Sequence, residues 1–328
     1  MRFEGRKTSK KIMKRNRRKK RIFLSITLII FLVTIGIQMT KLYNSTSTRN
    51  KVVQASTVEK VDDNKKQNES EKDEVKDNKV NIENVDKHKL ANNKNVNEEG
   101  LKYTIDRNEV TNMLKNNYKS DGKKYVFLTF DDGPSNQNTA DVLDILKSKN
   151  VKGTFFVLGE NIKNQKGMEL LKREYNEGHA IGNHSYTHNF RKLYPGNKVD
   201  VDYFMNEIEN TNTTMKGILG NEFDTKVIRM PGGYMSRSYY HDPNLNNLNE
   251  IFKKEGIVNI DWNALNGDAE GKTYSKEYMF NYVIKTSKGK DKVVILMHDA
   301  QGKVKTKELL PQIIDYFKGN GYEFKTIS

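Results

Sequence analysis

Two adjacent carboxylates, Asp131 and Asp132, stand in the stretch Thr129-Phe130-Asp131-Asp132-Gly133-Pro134. Neighbouring carboxylates repel each other unless a cation or a proton separates them, so the pair points to a metal or acid–base site. An isolated Asp-Asp-Gly is as readily a polar turn with an Asp capping a helix. Other clusters bear on the choice. His184-Ser185-Tyr186-Thr187-His188 carries two imidazoles four residues apart, which on one face of a helical turn can bind a single metal. Arg229-Met230-Pro231-Gly232-Gly233 places a cation beside two glycines, whose backbone N–H groups can approach a substrate closely, although an ordinary Pro-Gly turn reads the same way. Asp261-Trp262 through Asp268 offers further carboxylates, and His298-Asp299 another imidazole that could equally be a hydrogen-bonded core residue. One carboxylate and two imidazoles for a metal, a second carboxylate, a further histidine and an arginine together make the set needed for metal-assisted hydrolysis with a separate base and acid.

These clusters need a scaffold that brings them to one place. Each follows a run rich in β-branched, aromatic and aliphatic residues, and each such run is followed by a helical pattern. The spacing predicts strands at 125–130, 152–158, 179–182, 226–229, 257–261, 292–297 and 322–327, with helices near 137–149, 167–177, 201–219, 247–254, 276–288 and 306–319. Repeating β-then-α units imply a parallel sheet with helices outside. Seven or so strands suit a distorted, incomplete (β/α) barrel better than an open sheet. In such a barrel all five clusters surround one mouth, at the C-terminal ends of the strands.

On these residues the chain resembles the NodB-type polysaccharide deacetylases, carbohydrate esterase family 4. Thr129 to Pro134 matches that family's first motif and His184 to His188 its second. Arg229 to Gly233 is similar to the third, and Leu296-Met297-His298 to the fifth. The resemblance covers roughly residues 123–328 and implies removal of N-acetyl groups from aminosugars of a glycan. It implies Asp132, His184 and His188 as ligands of a divalent metal, zinc first, with Co2+, Ni2+ or Mn2+ also accommodated. It implies Asp131 as general base, Arg229 as the ion-pair partner that orients it, His298 as general acid, and a backbone N–H near Gly232 or Gly233 as oxyanion donor. Two departures stand out. The third motif usually carries an aromatic residue where this chain has Gly232, and the fourth usually ends in Asp-Trp where this chain has Asp268-Ala269. Asp268 is read as the partner of His298, with Asp261 as the other possibility. The missing aromatics leave the wall of the substrate groove unassigned. Tyr234, Tyr239, Tyr240 and Trp262 could line a sugar subsite or be ordinary loop aromatics. His179 fits a structural residue at a strand start, and His241 a surface loop.

The rest of the chain concerns delivery. The net charge of +15 would suggest nucleic acid, but residues 1–21 alone hold twelve Lys and Arg against one Glu, so the remainder is close to balanced and no nucleic-acid partner is expected. Residues 22–39 form an uncharged apolar run, about 27 Å long as a helix, enough to cross a hydrocarbon core. A transmembrane anchor over 22–40 is therefore expected, with the basic block 1–21 in the cytoplasm and the C-terminal side outside. The alternative is a cleaved signal peptide and a secreted protein. Residues 41–100 are polar and aperiodic, read as a disordered spacer. Residues 101–122 carry a lead-in helix before the catalytic domain at 123–328. The chain has no cysteine, so thiolate chemistry and zinc–thiolate sites are excluded. Anchor and spacer point to a glycan next to the membrane, with peptidoglycan N-acetylglucosamine first, and poly-N-acetylglucosamine, chitin or an O-acetylated xylan as alternatives.

Overall fold

The computed structural model describes residues 95–328. The basic block, the expected anchor and the spacer up to residue 94 lie outside the described residues. Among the described residues no helix is long and apolar enough to cross a membrane.

The ordered body starts earlier than the sequence suggested. Residues 95–100, expected to belong to the spacer, are packed into it. Asn95 and Asn97 are buried because their amides serve as backbone partners. The Asn95 amide donates to the Ile181 and Ile327 carbonyls at 3.2 and 3.0 Å, and that of Asn97 to the Tyr175 carbonyl at 2.9 Å. Polar composition hid this role, since a buried amide that satisfies backbone carbonyls is not a solvated one. Instead of one lead-in helix over 101–122, the chain forms helix α1 (Glu98–Leu101), a short strand β1 (Thr104–Ile105) and helix α2 (Arg107–Leu114). The Asp106 side chain starts α2 by accepting from the Asn108 and Glu109 N–H groups.

The sheet is all parallel and curled into a half-barrel. Its strands are β2 (Tyr125–Gly133), β3 (Thr154–Val157), β4 (Ala180–Asn183), β5 (Val227–Ile228), β6 (Val258–Asn259), β7 (Ala264–Leu265), β8 (Lys292–His298) and β9 (Glu323–Ile327). Neighbours run β6-β5-β4-β3-β2-β8-β7, and β9 pairs with the first half of β2 and with β1. No pairing joins β6 to β7 among the described strands, so the curl stays open there. The outer helices are α3 (Thr139–Ser148), α4 (Gln165–Asn176), α5 (Phe190–Leu193), α6 (Val201–Leu219), α7 (Tyr234–Tyr239), α8 (Leu245–Glu255), α9 (Lys276–Ser287) and α10 (Val304–Gly319). Strands β5 and β6 are only two residues long, shorter than the predicted 226–229 and 257–261, and β7, α5 and α7 were not foreseen.

Strand alternation divides the core in two and thereby positions the site. In β2, Val126, Leu128 and Phe130 face the helix layer, packed with Leu143, Leu146, Ile313 and Phe317. Tyr125 and Phe127 face inward and meet Phe156, Val227, Ile260 and Val294, with Val110 and Met113 of α2 completing this inner core. Side chains alternate with period two along a strand. The inward series of β2 therefore continues through Thr129 to Asp131, and that of β8 runs from Val294 to His298. The β2–β8 register pairs Asp131 directly with His298.

Candidate active site

Asp131 is buried, and its Oδ1 accepts from the Arg229 guanidinium at 2.7 Å. Arg229 follows β5 and is fully buried. Its other donors reach Thr129 Oγ1 at 2.8 Å and the carbonyls of Ile260 and Asp261 at 2.8 and 3.2 Å. The guanidinium also lies over the Phe156 ring, 4.1 Å from its centroid. A charge this deep is tolerated because every contact is a hydrogen bond, a carboxylate or a π face. Thr129 is fixed in turn by donating to the Ile295 carbonyl at 2.6 Å. Asp131 is thus held from the strand below and from the side.

Asp132, His184 and His188 converge at the same mouth. Asp132 Oδ1 lies 3.3 Å from His184 Nε2 and 3.4 Å from His188 Nε2, and the three ligand atoms all fall within 4.8 Å of one another. The histidines do not sit on a helical turn, as their spacing suggested. They flank a loop after β4 in which Ser185 and His188 have φ of 71° and 54°, and Asp132 has φ of 67°. Such left-handed residues cost energy outside glycine and persist only where the surroundings impose them. Glu207 of α6, a buried carboxylate, holds the loop after β4 between its two histidines. It accepts from the Tyr186 and Thr187 N–H groups at 2.9 and 2.6 Å, and from the Tyr203 hydroxyl at 2.8 Å.

These three residues fit a divalent cation. His184 Nδ1 donates to the Arg229 carbonyl at 2.7 Å, which leaves the Nε2 lone pair facing Asp132. Asp132 Oδ1 is buried without a hydrogen-bond partner although two imidazole nitrogens crowd it. Burial alone would raise the Asp132 carboxyl, but His184, His188 and His298 together hold it below the ordinary range. Burial would lower the His184 imidazole, and Asp131 and Asp132 outweigh it, so His184 is raised. His188 is lowered by burial and by His184.

His298 stands on the other side of Asp132, its Nε2 4.0 Å from Asp132 Oδ2. Its Nδ1 is 2.8 Å from Asp268 Oδ1, and its backbone N–H donates to Asp268 Oδ2 at 2.9 Å. Thr306 Oγ1 donates to the same Oδ2 at 2.7 Å. Burial works against the imidazolium, yet Asp268, with Asp131 and Asp132 behind it, raises His298 to about 9. Burial would raise Asp268, but His298, Thr306 and Lys303 hold it low. Asp261 is committed elsewhere. Its carboxylate accepts from the Tyr234 and Met235 N–H groups at 3.0 and 2.8 Å and so starts α7. Between the two possibilities read from the sequence, the distances place Asp268 against His298. Asp299 points away from the mouth, and burial pushes its carboxyl up to about 7.

Other residues singled out from the sequence fall around this centre with less direct parts. The Gly233 N–H donates to the Met230 carbonyl at 2.8 Å and is spent within the turn. Gly233 instead makes room for Trp262, whose ring a Cβ there would approach to 2.8 Å. Tyr234 and Trp262 line a groove of about 840 Å³ between α2, α7 and α8. The Tyr234 hydroxyl accepts from the Asn249 amide at 2.8 Å. Tyr239 and Tyr240 are exposed and pack edge to face on each other. His179 is buried at the start of β4 and accepts from the Gly153 N–H at 3.1 Å, while His241 lies in an exposed loop.

Two contributors escaped the sequence reading. Glu207 was legible only as a carboxylate on the buried stripe of α6, between Phe204 and Ile208. Phe190 followed the second histidine by two residues and carried no other signal. Its ring centroid lies 5.1 Å from that of His188.

Comparison with known proteins bears on this geometry. A polysaccharide deacetylase family model matches residues 118–249. A Bacillus cereus protein described as a peptidoglycan-N-acetylglucosamine deacetylase is 32% identical over 227 residues, which span 66% of this chain and 74% of that protein. A bifunctional xylanase/deacetylase of Pseudobutyrivibrio xylanivorans is 33% identical over 206 residues, 63% of this chain but only 30% of that longer protein. The solved structure of a Streptococcus mutans CE4 esterase superposes with a TM-score of 0.65 at 34% identity, covering 71% of this chain and 96% of that one.

Proposed function

The chain belongs to the polysaccharide deacetylase family, carbohydrate esterase family 4, and is a hydrolase; from that premise we propose that it removes N-acetyl groups from the N-acetylglucosamine of peptidoglycan, with a divalent cation, zinc first, held by Asp132, His184 and His188. The observation that carries the reading is the Asp131/His298 pair. The two side chains stand on adjacent strands in register, one tied to an arginine and the other to a carboxylate, on either side of one ligand cluster. A cation bound there would polarise the acetyl carbonyl and make water a better nucleophile near neutral pH.

The chain's own residues supply the proton transfers. Asp131, oriented by Arg229, takes a proton as the oxygen of water bonds to the acetyl carbon. The Gly232 N–H donates to the carbonyl oxygen as negative charge develops there. His298 then gives its proton to the amide nitrogen, the C–N bond breaks, and acetate and a free amine leave. Base and acid must hold opposite protonation states at one pH. Asp268 keeps the proton on His298, whose value of about 9 makes it an acid throughout the neutral range.

We assign the reaction to the outer side of a membrane, with 22–40 as anchor and the following polar stretch as reach. Support comes from the sequence alone, a basic block followed by an apolar run. The same residues would cleave an O-acetyl ester, and the resemblance to a CE4 esterase makes that the second reading. Acetate released by the full chain from peptidoglycan, chitin oligomers and acetylated xylan separates the readings. Peptidoglycan is expected to give the highest rate. Release confined to chitin oligomers or xylan overturns the assignment of substrate.

A further inference from the structure

We propose that Phe190 is the aromatic platform on which the pyranose ring bearing the scissile acetamide packs. The inference rests on the N-acetylglycan reading above and adds a residue that determines substrate binding. Phe190 opens α5 two residues after the second histidine, and 45% of its surface is exposed. Among the described residues the exposed large apolar side chains are few, and Phe190 alone of these is in ring contact with a histidine of the ligand cluster. Its ring and that of His188 meet edge to face, their planes 69° apart. Its tip meets Gly232, where a Cβ would lie 3.0 Å from Cε1 and Cζ. With φ of 76°, residue 232 is one that few side chains could occupy in any case, so the absence of a side chain there is what lets the ring stand beside the mouth.

The ring is braced rather than loose. Tyr194 backs it at 5.5 Å, and the Tyr194 hydroxyl donates to the Pro231 carbonyl at 2.9 Å, which ties this helix to the Arg229 turn. Asn189 caps the helix by accepting from the Arg191 and Lys192 N–H groups. A fixed aromatic ring with nearly half its surface open suits the C–H face of a pyranose, whose weakly positive hydrogens meet the negative π face. Other exposed tyrosines lack that arrangement. Tyr278 is stacked between Tyr274 and Tyr282, which occupies both its faces, and Tyr239 and Tyr240 pack on each other with no ring contact to His184 or His188. The position of Phe190, between His188 and Gly232, puts a sugar packed on it beside the Asp132–His184–His188 cluster.

The test compares a substrate with a sugar ring and one without. For Phe190→Ala in the full chain, KM for chitotriose and larger N-acetylated oligomers should rise about tenfold, with kcat within about twofold. Turnover of 4-nitrophenyl acetate, which has no pyranose, should be unchanged. Phe190→Tyr should restore the oligomer KM, and Phe190→Leu, which keeps the bulk without the π face, should not. Parallel losses on both substrates, or rescue by leucine, would show that the ring merely props His188. No change on either would remove Phe190 from the binding site. If the unaltered chain cleaves 4-nitrophenyl acetate but no N-acetylated oligomer, the N-acetylglycan reading fails first and takes this inference with it.

Discussion

Replacing Asp268 by Asn removes one charge and leaves the shape of the site intact, so its effect can be worked out from the acid alone. Asp268 Oδ1 sits 2.8 Å from His298 Nδ1, and burial by itself would drive that imidazole below its ordinary value near 6.5. The remaining carboxylates, Asp131 paired with Arg229 and Asp132 beside His184 and His188, still favour the imidazolium, each less than Asp268 does. Without Asp268 the His298 pKa should therefore fall from about 9 to 6.5 or lower. At pH 7.5 the protonated fraction would drop from nearly all to roughly a tenth, and at pH 8.5 to roughly a hundredth. The variant should lose about tenfold in kcat/KM at pH 7.5 and about seventyfold at pH 8.5, approaching the unaltered enzyme only on the acid side. Profiles of kcat/KM against pH on an N-acetylated oligosaccharide, with thermal melts to confirm folding, measure this directly. The alkaline limb should move to lower pH by two units or more. A profile that falls by the same factor at every pH would refute the reasoning, because Asp268 would then be positioning His298 without holding its proton. The same shift has a stability side. A raised folded-state pKa on His298 stabilises the fold fully below about pH 6.5, and that contribution is lost as pH rises through about 9.

Other perturbations follow from the same geometry. Arg229→Met strips a buried carboxylate and three further acceptors of their donor, at a cost of about 3–5 kcal/mol; the melting temperature should fall by roughly 10 °C, and a drop under ~2 °C would contradict the pairing. Asp299 is buried and held neutral up to about 7, so its own contribution to wild-type stability should decline as pH rises from about 4 to about 7. Asp299→Asn removes that penalty, and its melting temperature should exceed the wild type's above pH 7 and converge with it near pH 4. A constant offset at all pH values would speak against a titrating carboxyl. Glu207→Gln leaves Tyr186 and Thr187 with a weaker acceptor and should lower metal affinity, read by calorimetry, by about tenfold or more; unchanged affinity would remove Glu207 from the support of the ligand loop.

The site was more legible than its surroundings because strand parity and strand ends are written in the sequence. The apolar run before Asp131 and the one before His298 each announce a buried strand, and two inward series in register bring the pair together. The half-barrel was legible for the same reason, through the alternation of strand and helix patterns. What was hidden depends on contacts between distant segments. Asn95 and Asn97 read as spacer because nothing local says that their amides will meet carbonyls of β4, β9 and α4. Strands β5 and β6 are held by neighbours rather than by their own length, which blurred their ends. His184 and His188 were expected on a helical turn, a local solution, whereas Glu207 holds a loop from across the chain. Phe190 acquires meaning only beside Gly232, a proximity that no spacing encodes.

Acetate release from peptidoglycan by the full chain, measured after chelation, after zinc is restored, and in Asp131→Asn, tests the central claim most directly. The account predicts release that chelation abolishes and zinc restores, and a variant that binds zinc with wild-type stoichiometry yet releases acetate at a rate lower by a factor of about a hundred or more. Release that is indifferent to chelation, or an Asp131→Asn enzyme that keeps its rate, would contradict it.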